Sequence, residues 1–84
     1  MNTTTNDSTM TTRSFGAWLK KQARRADPVG DLAADFLWDC RDRGVKPSSF
    51  LTASDVCSAM QNTQACVEAF EALGEAEREF LASA

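Results

Sequence analysis

The chain has 84 residues, of which 43% are hydrophobic and 25% are charged, and its formal net charge is −3. This length allows one small domain with a modest core, and the composition is ordinary for a globular protein. Histidine is absent, which excludes histidine-based catalytic dyads, mixed Cys/His zinc sites and histidine pH switches near neutrality.

The first twelve residues, MNTTTNDSTMTT, form a polar tract with almost nothing to bury. Such a segment cannot offset the entropy cost of ordering, so we predict a disordered tail at 1–12 and a single domain at 13–84. No cationic region followed by an apolar run marks a signal peptide, and no apolar run approaches the roughly 20 residues that span a bilayer. We therefore expect a cytoplasmic protein that contacts no membrane and carries no cofactor.

Two amphipathic helices are predicted next. Ser14 suits an N-cap, and the first helix is expected over about 15–25. Asp27 and Pro28 suit the cap and first position of the second helix, and Gly44 suits its end, so that helix is predicted over 28–43. The predicted buried stripes are Phe15, Trp18, Leu19, Gln22 and Ala23 in the first helix, and Val29, Leu32, Ala33, Phe36, Leu37 and Cys40 in the second.

A connector, Lys46 to Leu51, separates these helices from the second half of the domain. Phe50 and Leu51 in this connector are expected to enter the core. Thr52 to Asp55 has the form of a capping box, which opens a third helix over about 53–60. This helix is expected to bury Val56, Ala59 and Met60.

The last helix is predicted over about 64–82, with Asn62 or Thr63 as its cap. Gly74 within it indicates a close helix crossing or a bend. The predicted buried stripe is Cys66, Ala69, Phe70, Leu73, Glu77 and Phe80. The chain shows no useful β alternation, so the predicted fold class is all-α, a compact bundle of four to five short helices.

Two groups of residues carry a resemblance to a known family. The first is Ser14-Phe15, Trp18-Leu19, Gln22, Asp27 to Ala33 and Asp35, and the second is Gln64 to Cys66 with Ala69, Phe70 and Leu73. Together they resemble the opening and closing helices of the YozE-like proteins, small bacterial and phage proteins with a SAM-like fold. The resemblance covers about residues 14–81. It implies a compact helical bundle and, as activity, nucleic-acid or protein binding.

An acidic row on the second helix is the first candidate site. It consists of Asp31, Asp35, Asp39 and Asp42. Like charges at i, i+4 destabilise a helix by a few tenths of a kcal/mol each, so the row needs compensation or a use. Three interpretations stay open: a solvated face neutralised across the corner by basic residues, a surface for a basic partner that includes mimicry of a phosphate backbone, and divalent-cation binding.

A basic cluster on the first helix is the second candidate site. It consists of Lys20, Lys21, Arg24 and Arg25. One interpretation is compensation of the helix dipole together with pairing to the acidic row. The other is phosphate contact, although no aromatic interleaving or groove-reading helix accompanies the cluster.

Trp38 lies off the buried stripe of the second helix. It either packs under the connector with Phe50 or is an exposed hot spot for a partner. A late acidic surface of Glu68, Glu71, Glu75 and Glu79 is interpreted as a solvated face. The three cysteines, Cys40, Cys57 and Cys66, are expected to be reduced core or boundary residues rather than a metal site.

These patterns predict a non-enzymatic protein-interaction module of bacterial or mobile-element origin, since no nucleophile elbow or phosphate loop is present. The expected partner-binding residues are Asp31, Asp35, Trp38, Asp39 and Asp42. One version is inhibition of a nucleic-acid-handling host enzyme. The alternative is nucleic-acid binding through Lys20, Lys21, Arg24 and Arg25.

Overall fold

The computed structural model describes residues 13–62 and 65–83. These ranges contain four α-helices, which are α1 (Phe15–Lys20), α2 (Pro28–Arg43), α3 (Ala53–Asn62) and α4 (Val67–Ala82), and a 3₁₀ turn at Pro47–Ser49. No strand occurs in these two ranges. The predicted all-α bundle is therefore confirmed. The predicted tail at 1–12 and the candidate cap Thr63 lie outside the described residues.

The ends of α2 agree with the sequence prediction. The Asp27 carboxylate accepts a hydrogen bond from the Gly30 N–H at 2.9 Å, and Pro28 takes the first helical position. Gly44 ends the helix in the left-handed region with φ of 69°, a conformation that glycine adopts without a steric penalty. Both ends are thus fixed by local chemistry.

The start of α1 was predicted correctly, but its end was not. The Ser14 hydroxyl accepts from the Ala17 N–H at 3.1 Å and so caps the helix. The helix ends at Lys20 rather than near residue 25. The N–H groups of Gln22, Ala23 and Arg25 bond to carbonyls three residues earlier. This tighter winding brings the chain to the extended residue before Pro28.

The connector is held to α1 through its backbone. The N–H groups of Phe15 and Gly16 donate to the carbonyls of Leu51 and Phe50 at 3.1 and 2.8 Å. Phe50 is half-buried against Phe36, with ring centroids 5.1 Å apart. Leu51 was expected in the core, but its side chain is exposed, because its carbonyl rather than its side chain meets α1.

The capping box of α3 is confirmed. The Thr52 hydroxyl accepts from the Asp55 N–H at 3.2 Å, and the Asp55 carboxylate accepts from the Thr52 N–H at 3.1 Å. The helix continues to Asn62, two residues beyond the predicted end.

The buried face of α4 differs from the prediction. Its buried residues are Ala72, Leu73 and Ala76. Cys66 is the exposed cap residue and Glu77 is also exposed, so these two assignments were wrong. A methyl group added at Gly74 would meet nothing within 4 Å, so this glycine does not mark a close crossing. Small alanines provide the tight packing instead.

The core lies where α4 packs along α2, with α1 and α3 against them. Phe15, Leu19, Val29 and Val56 are its largest fully buried side chains. At the far end of α4 the guanidinium of Arg13 donates to the Phe80 carbonyl at 2.7 Å and lies over the Phe80 ring. Among the described residues, no helix combines the length and apolarity needed to cross a membrane.

Candidate functional site

A groove of about 330 Å³ lies between α2, α3 and the beginning of α4. Its floor is apolar, and its rim on the α2 side carries Asp35, Trp38 and Asp39. The volume is at the lower end of the range for small-molecule pockets, about 300–1,000 Å³. The residues that line the remainder of this α2/α3/α4 groove are Leu32, Phe36, Val56, Ala59, Met60, Ala65 and Ala69.

Trp38 is the most exposed aromatic side chain at this rim. It is 69% exposed, because Phe50 packs against Phe36 and leaves Trp38 outside the connector. Of the two interpretations of Trp38, packing under the connector is therefore wrong. Among the described residues, Trp38 is the only aromatic one that belongs to the exposed large hydrophobic side chains.

A second hollow lies on the other side of the indole. It has a volume of about 270 Å³ and is lined by Trp38, Arg41 and Asp42. The Arg41 guanidinium lies 5.9 Å from the centroid of the indole ring, within cation–π range. Trp38 is thus a wall shared by two hollows, each of which includes at least one carboxylate.

The acidic row divides between these two hollows. Asp35 and Asp39 belong to the α2/α3/α4 groove, Asp42 belongs to the second hollow, and Asp31 lines neither. The Asp39 carboxylate pairs with Arg43 at 3.2 Å within α2. In the part of the chain that the structure describes, no salt bridge joins the acidic row to the basic cluster. Neutralisation across the corner is therefore not observed.

Arg25, a member of the basic cluster, pairs with two acidic residues that lie outside the acidic row. Its guanidinium contacts the carboxylates of Asp27 at 2.7 Å and Glu79 at 2.6 Å. These hydrogen bonds raise the pKa of Arg25, and Arg25 lowers the pKa of both Asp27 and Glu79. The triad ties the corner before α2 to the end of α4, so Arg25 has a structural role.

The other three members of the basic cluster face solvent. Lys20, Lys21 and Arg24 are exposed, and within 13–62 and 65–83 none of them forms a salt bridge. They remain available as a small positive patch. With Arg25 committed elsewhere, this patch has three charges rather than the predicted four.

The late acidic surface lines a hollow of about 460 Å³ beside Arg25 and Asp27, and six of its lining residues are charged. Two of its carboxylates already have cationic partners, Glu79 on Arg25 and Glu75 on Arg78 at 3.1 Å. The remaining two, Glu68 and Glu71, are exposed. This surface has no exposed aromatic residue in its lining, which distinguishes it from the surface around Trp38.

The cysteines do not form a site. Cys40 is buried, Cys57 is half-buried and Cys66 is exposed, and all three are free thiols. Burial raises the pKa of the Cys40 thiol. No group of three or more metal-ligating side chains lies together in the described ranges.

Helical spacing in the sequence predicts the acidic residues that lie at the rim, but it does not predict the groove. Val56, Ala59 and Met60 were assigned to the core, whereas they also line an open hollow. Ala65 was named only as part of the family resemblance and not as a core or site residue. No single helix carries a signal for this groove, because its lining comes from α2, α3 and the beginning of α4.

No protein family model, curated protein or solved structure matches this chain.

Proposed function

We propose that this chain is a non-enzymatic protein-interaction module that binds a basic segment of a protein partner through α2. The proposal depends on one observation, the 69% exposure of Trp38 at the rim of an apolar groove. Tryptophan residues in such positions supply a large share of binding energy at interfaces. The acidic row supplies orientation and a faster association with a positively charged partner.

The charge distribution supports the choice of a basic partner. Asp31, Asp35 and Asp42 are exposed, and within the described ranges the only salt bridge of Asp39 is with Arg43 of its own helix. Exposed pairs of this kind contribute little to stability. Their carboxylates are therefore open to the lysines or arginines of a second protein.

The proposed setting is the cytoplasm of a bacterium, with the gene on the chromosome or on a mobile element. One form of the function is inhibition of a nucleic-acid-handling enzyme. The basic groove of such an enzyme has the charge that the acidic row complements, because it normally contacts phosphates.

A double charge reversal tests the proposal. Asp35→Lys with Asp39→Lys should abolish capture of protein partners from a nuclease-treated lysate of the source cell, identified by mass spectrometry, while helicity by circular dichroism is unchanged. The matched control is Glu71→Lys with Glu77→Lys, which makes the same change in net charge at exposed positions on α4. Equal capture by the wild type and the α2 variant would refute the proposal.

A second candidate function is nucleic-acid binding by the positive patch of Lys20, Lys21 and Arg24. The supporting observation is the exposure of all three side chains. This function predicts weak binding whose log affinity falls linearly with log salt. A titration with a labelled oligonucleotide at low salt that gives no signal would exclude it.

A further inference from the structure

We infer that the occupant of the α2/α3/α4 groove is a single amphipathic helix of the partner, with one long apolar side chain in the groove and an arginine on Trp38. This inference rests on the proposed function and specifies the partner's chemistry. Peptides are commonly bound as an added strand, as a helix in an apolar groove or as a polyproline segment on an aromatic-lined groove. The described residues contain no strand edge to extend, and the floor of the groove is mainly aliphatic rather than aromatic, so the groove favours a helix.

The apolar floor of the groove indicates that the partner inserts an apolar side chain. Leu32, Phe36, Val56 and Met60 all contribute to the lining while belonging to the buried core. A volume of about 330 Å³ is enough for a leucine, methionine or phenylalanine side chain but is not a deep cavity. Water is removed from both surfaces when such a side chain enters, which is the main favourable contribution.

The carboxylates at the rim indicate that the partner carries positive charge beside its apolar side chain. Asp35 and Asp39 stand beside the groove, and Asp42 stands in the hollow across the indole. The pair between Asp39 and Arg43 joins two partly exposed side chains four residues apart, and such pairs are weak enough to be exchanged. A partner arginine can therefore replace Arg43 on Asp39 without a large cost.

The exposed indole of Trp38 favours arginine over lysine as the positively charged residue of the partner. Its ring already has the guanidinium of Arg41 at 5.9 Å, and the indole remains 69% exposed. A planar guanidinium can stack on an indole and bond to a carboxylate at the same time, which a lysine ammonium does less well. The indole between two acid-bearing hollows fits that double recognition.

Charge also argues against a nucleic-acid occupant of this groove. A phosphate backbone would meet the carboxylates of Asp35, Asp39 and Asp42, and binding of nucleic acid depends on neutralised phosphates. A helix with arginines would instead be attracted to these carboxylates. Nucleic acid is therefore an outcome that the experiment must be able to detect rather than the proposed occupant.

The probe is a designed peptide, since it carries only the features that the groove is inferred to recognise. It is an alanine–glutamine helix of about 20 residues, above the length at which isolated helices are marginal in water, with one central leucine. Arginines stand four residues before and three residues after the leucine, on the same helix face. Binding of the labelled peptide is followed by fluorescence anisotropy at low salt.

We expect the wild-type chain to bind this peptide and the leucine-to-alanine peptide to bind about tenfold more weakly. Trp38→Ala should weaken binding by about tenfold as well, and this variant keeps the fold because the side chain is exposed. Ala59→Leu fills the groove from α3 and should weaken only the leucine peptide. The matched control is Ala34→Leu at an exposed position of α2 outside the groove lining.

Circular dichroism and thermal melting establish that each variant is folded. Equal binding of the leucine and alanine peptides, or no binding of either, would overturn the helix-in-groove inference. The proposed function would still stand if capture from the lysate depended on Asp35 and Asp39. Displacement of the peptide by a single-stranded oligonucleotide of similar length would assign the groove to nucleic acid and overturn the inference. Capture that is indifferent to both aspartates would refute the proposed function itself.

Discussion

Two glycine-to-alanine substitutions should change stability in opposite directions. Both Gly16 in α1 and Gly74 in α4 lie within helices, where alanine is favoured over glycine by about 1 kcal/mol. At Gly74 a methyl group would meet nothing within 4 Å. Gly74→Ala should therefore stabilise the protein by about 0.5–1 kcal/mol.

At Gly16 the close packing makes the same substitution destabilising rather than stabilising. A methyl group there would overlap the backbone carbonyl oxygen of Pro47 and would lie 3.0 Å from the Cβ of Phe50. The Pro47 carbonyl cannot move freely, because it accepts from the Phe50 N–H at 3.1 Å. The Gly16 N–H in turn donates to the Phe50 carbonyl at 2.8 Å and holds α1 against the connector. We expect Gly16→Ala to destabilise the protein by about 3 kcal/mol, at the upper end of the cost of overpacking.

Thermal melting followed by circular dichroism at 222 nm measures both effects. In a domain of this size 1 kcal/mol shifts Tm by about 4–8 °C. Gly16→Ala should therefore lower Tm by about 12–24 °C, and Gly74→Ala should raise it by about 2–8 °C. Equal shifts, or a rise for Gly16→Ala, would show that the connector does not contact α1 as described.

Two further effects concern acid and capping. Because Arg25 lowers the pKa of Asp27 and Glu79, the triad stabilises the fold at neutral pH, and this contribution is lost as the pH falls below the ordinary values of 3.8 and 4.5. Arg25→Gln should flatten that acid dependence of urea unfolding, and an unchanged profile would contradict the argument. Ser14→Ala removes the α1 cap and the hydroxyl that donates to the Phe50 carbonyl at 2.8 Å, so it should cost about 1–3 kcal/mol in urea unfolding. A loss below about 0.5 kcal/mol would indicate that water satisfies both groups.

Local chemistry explains which parts of the fold the sequence predicts well. The second helix begins at Pro28 and ends before Gly44, as predicted, because the two ends depend on a cap, a proline and a left-handed glycine. The capping box at Thr52 is equally local. Such signals act within four residues and need no knowledge of the rest of the chain.

Tertiary packing explains the errors. Ala72 and Ala76 are buried on α4, but alanine occurs on either face of a helix, so periodicity alone favoured the larger Phe70 and Phe80. These two phenylalanines are only partly buried and pack at the edge of the core. The position of Leu51 likewise depended on a backbone contact that no side-chain pattern records.

Of the candidate site, only the positions of residues along α2 follow from the sequence, because helical spacing is local. The row that includes Asp35 and Asp39 follows from helical spacing, and it agrees with the rim of the groove. The exposure of Trp38 did not follow, because it depends on where Phe50 packs. The groove floor depends on three helices at once and has no signature in any one of them.

The contact between Arg13 and the end of α4 brings residues 13 and 83, the outer limits of the described ranges, close together. Arg13 donates to the carbonyls of Phe80 and Ser83 at 2.7 and 3.1 Å. A short linker from residue 83 back to residue 13 would therefore close the chain into a ring, and a circular permutant opened beside Gly44 should refold. Ala69 on the groove and Phe80 are separated by eleven residues of helix, about 16 Å. A tether fixed at residue 13 or 83 would accordingly hold the protein by the end remote from Trp38.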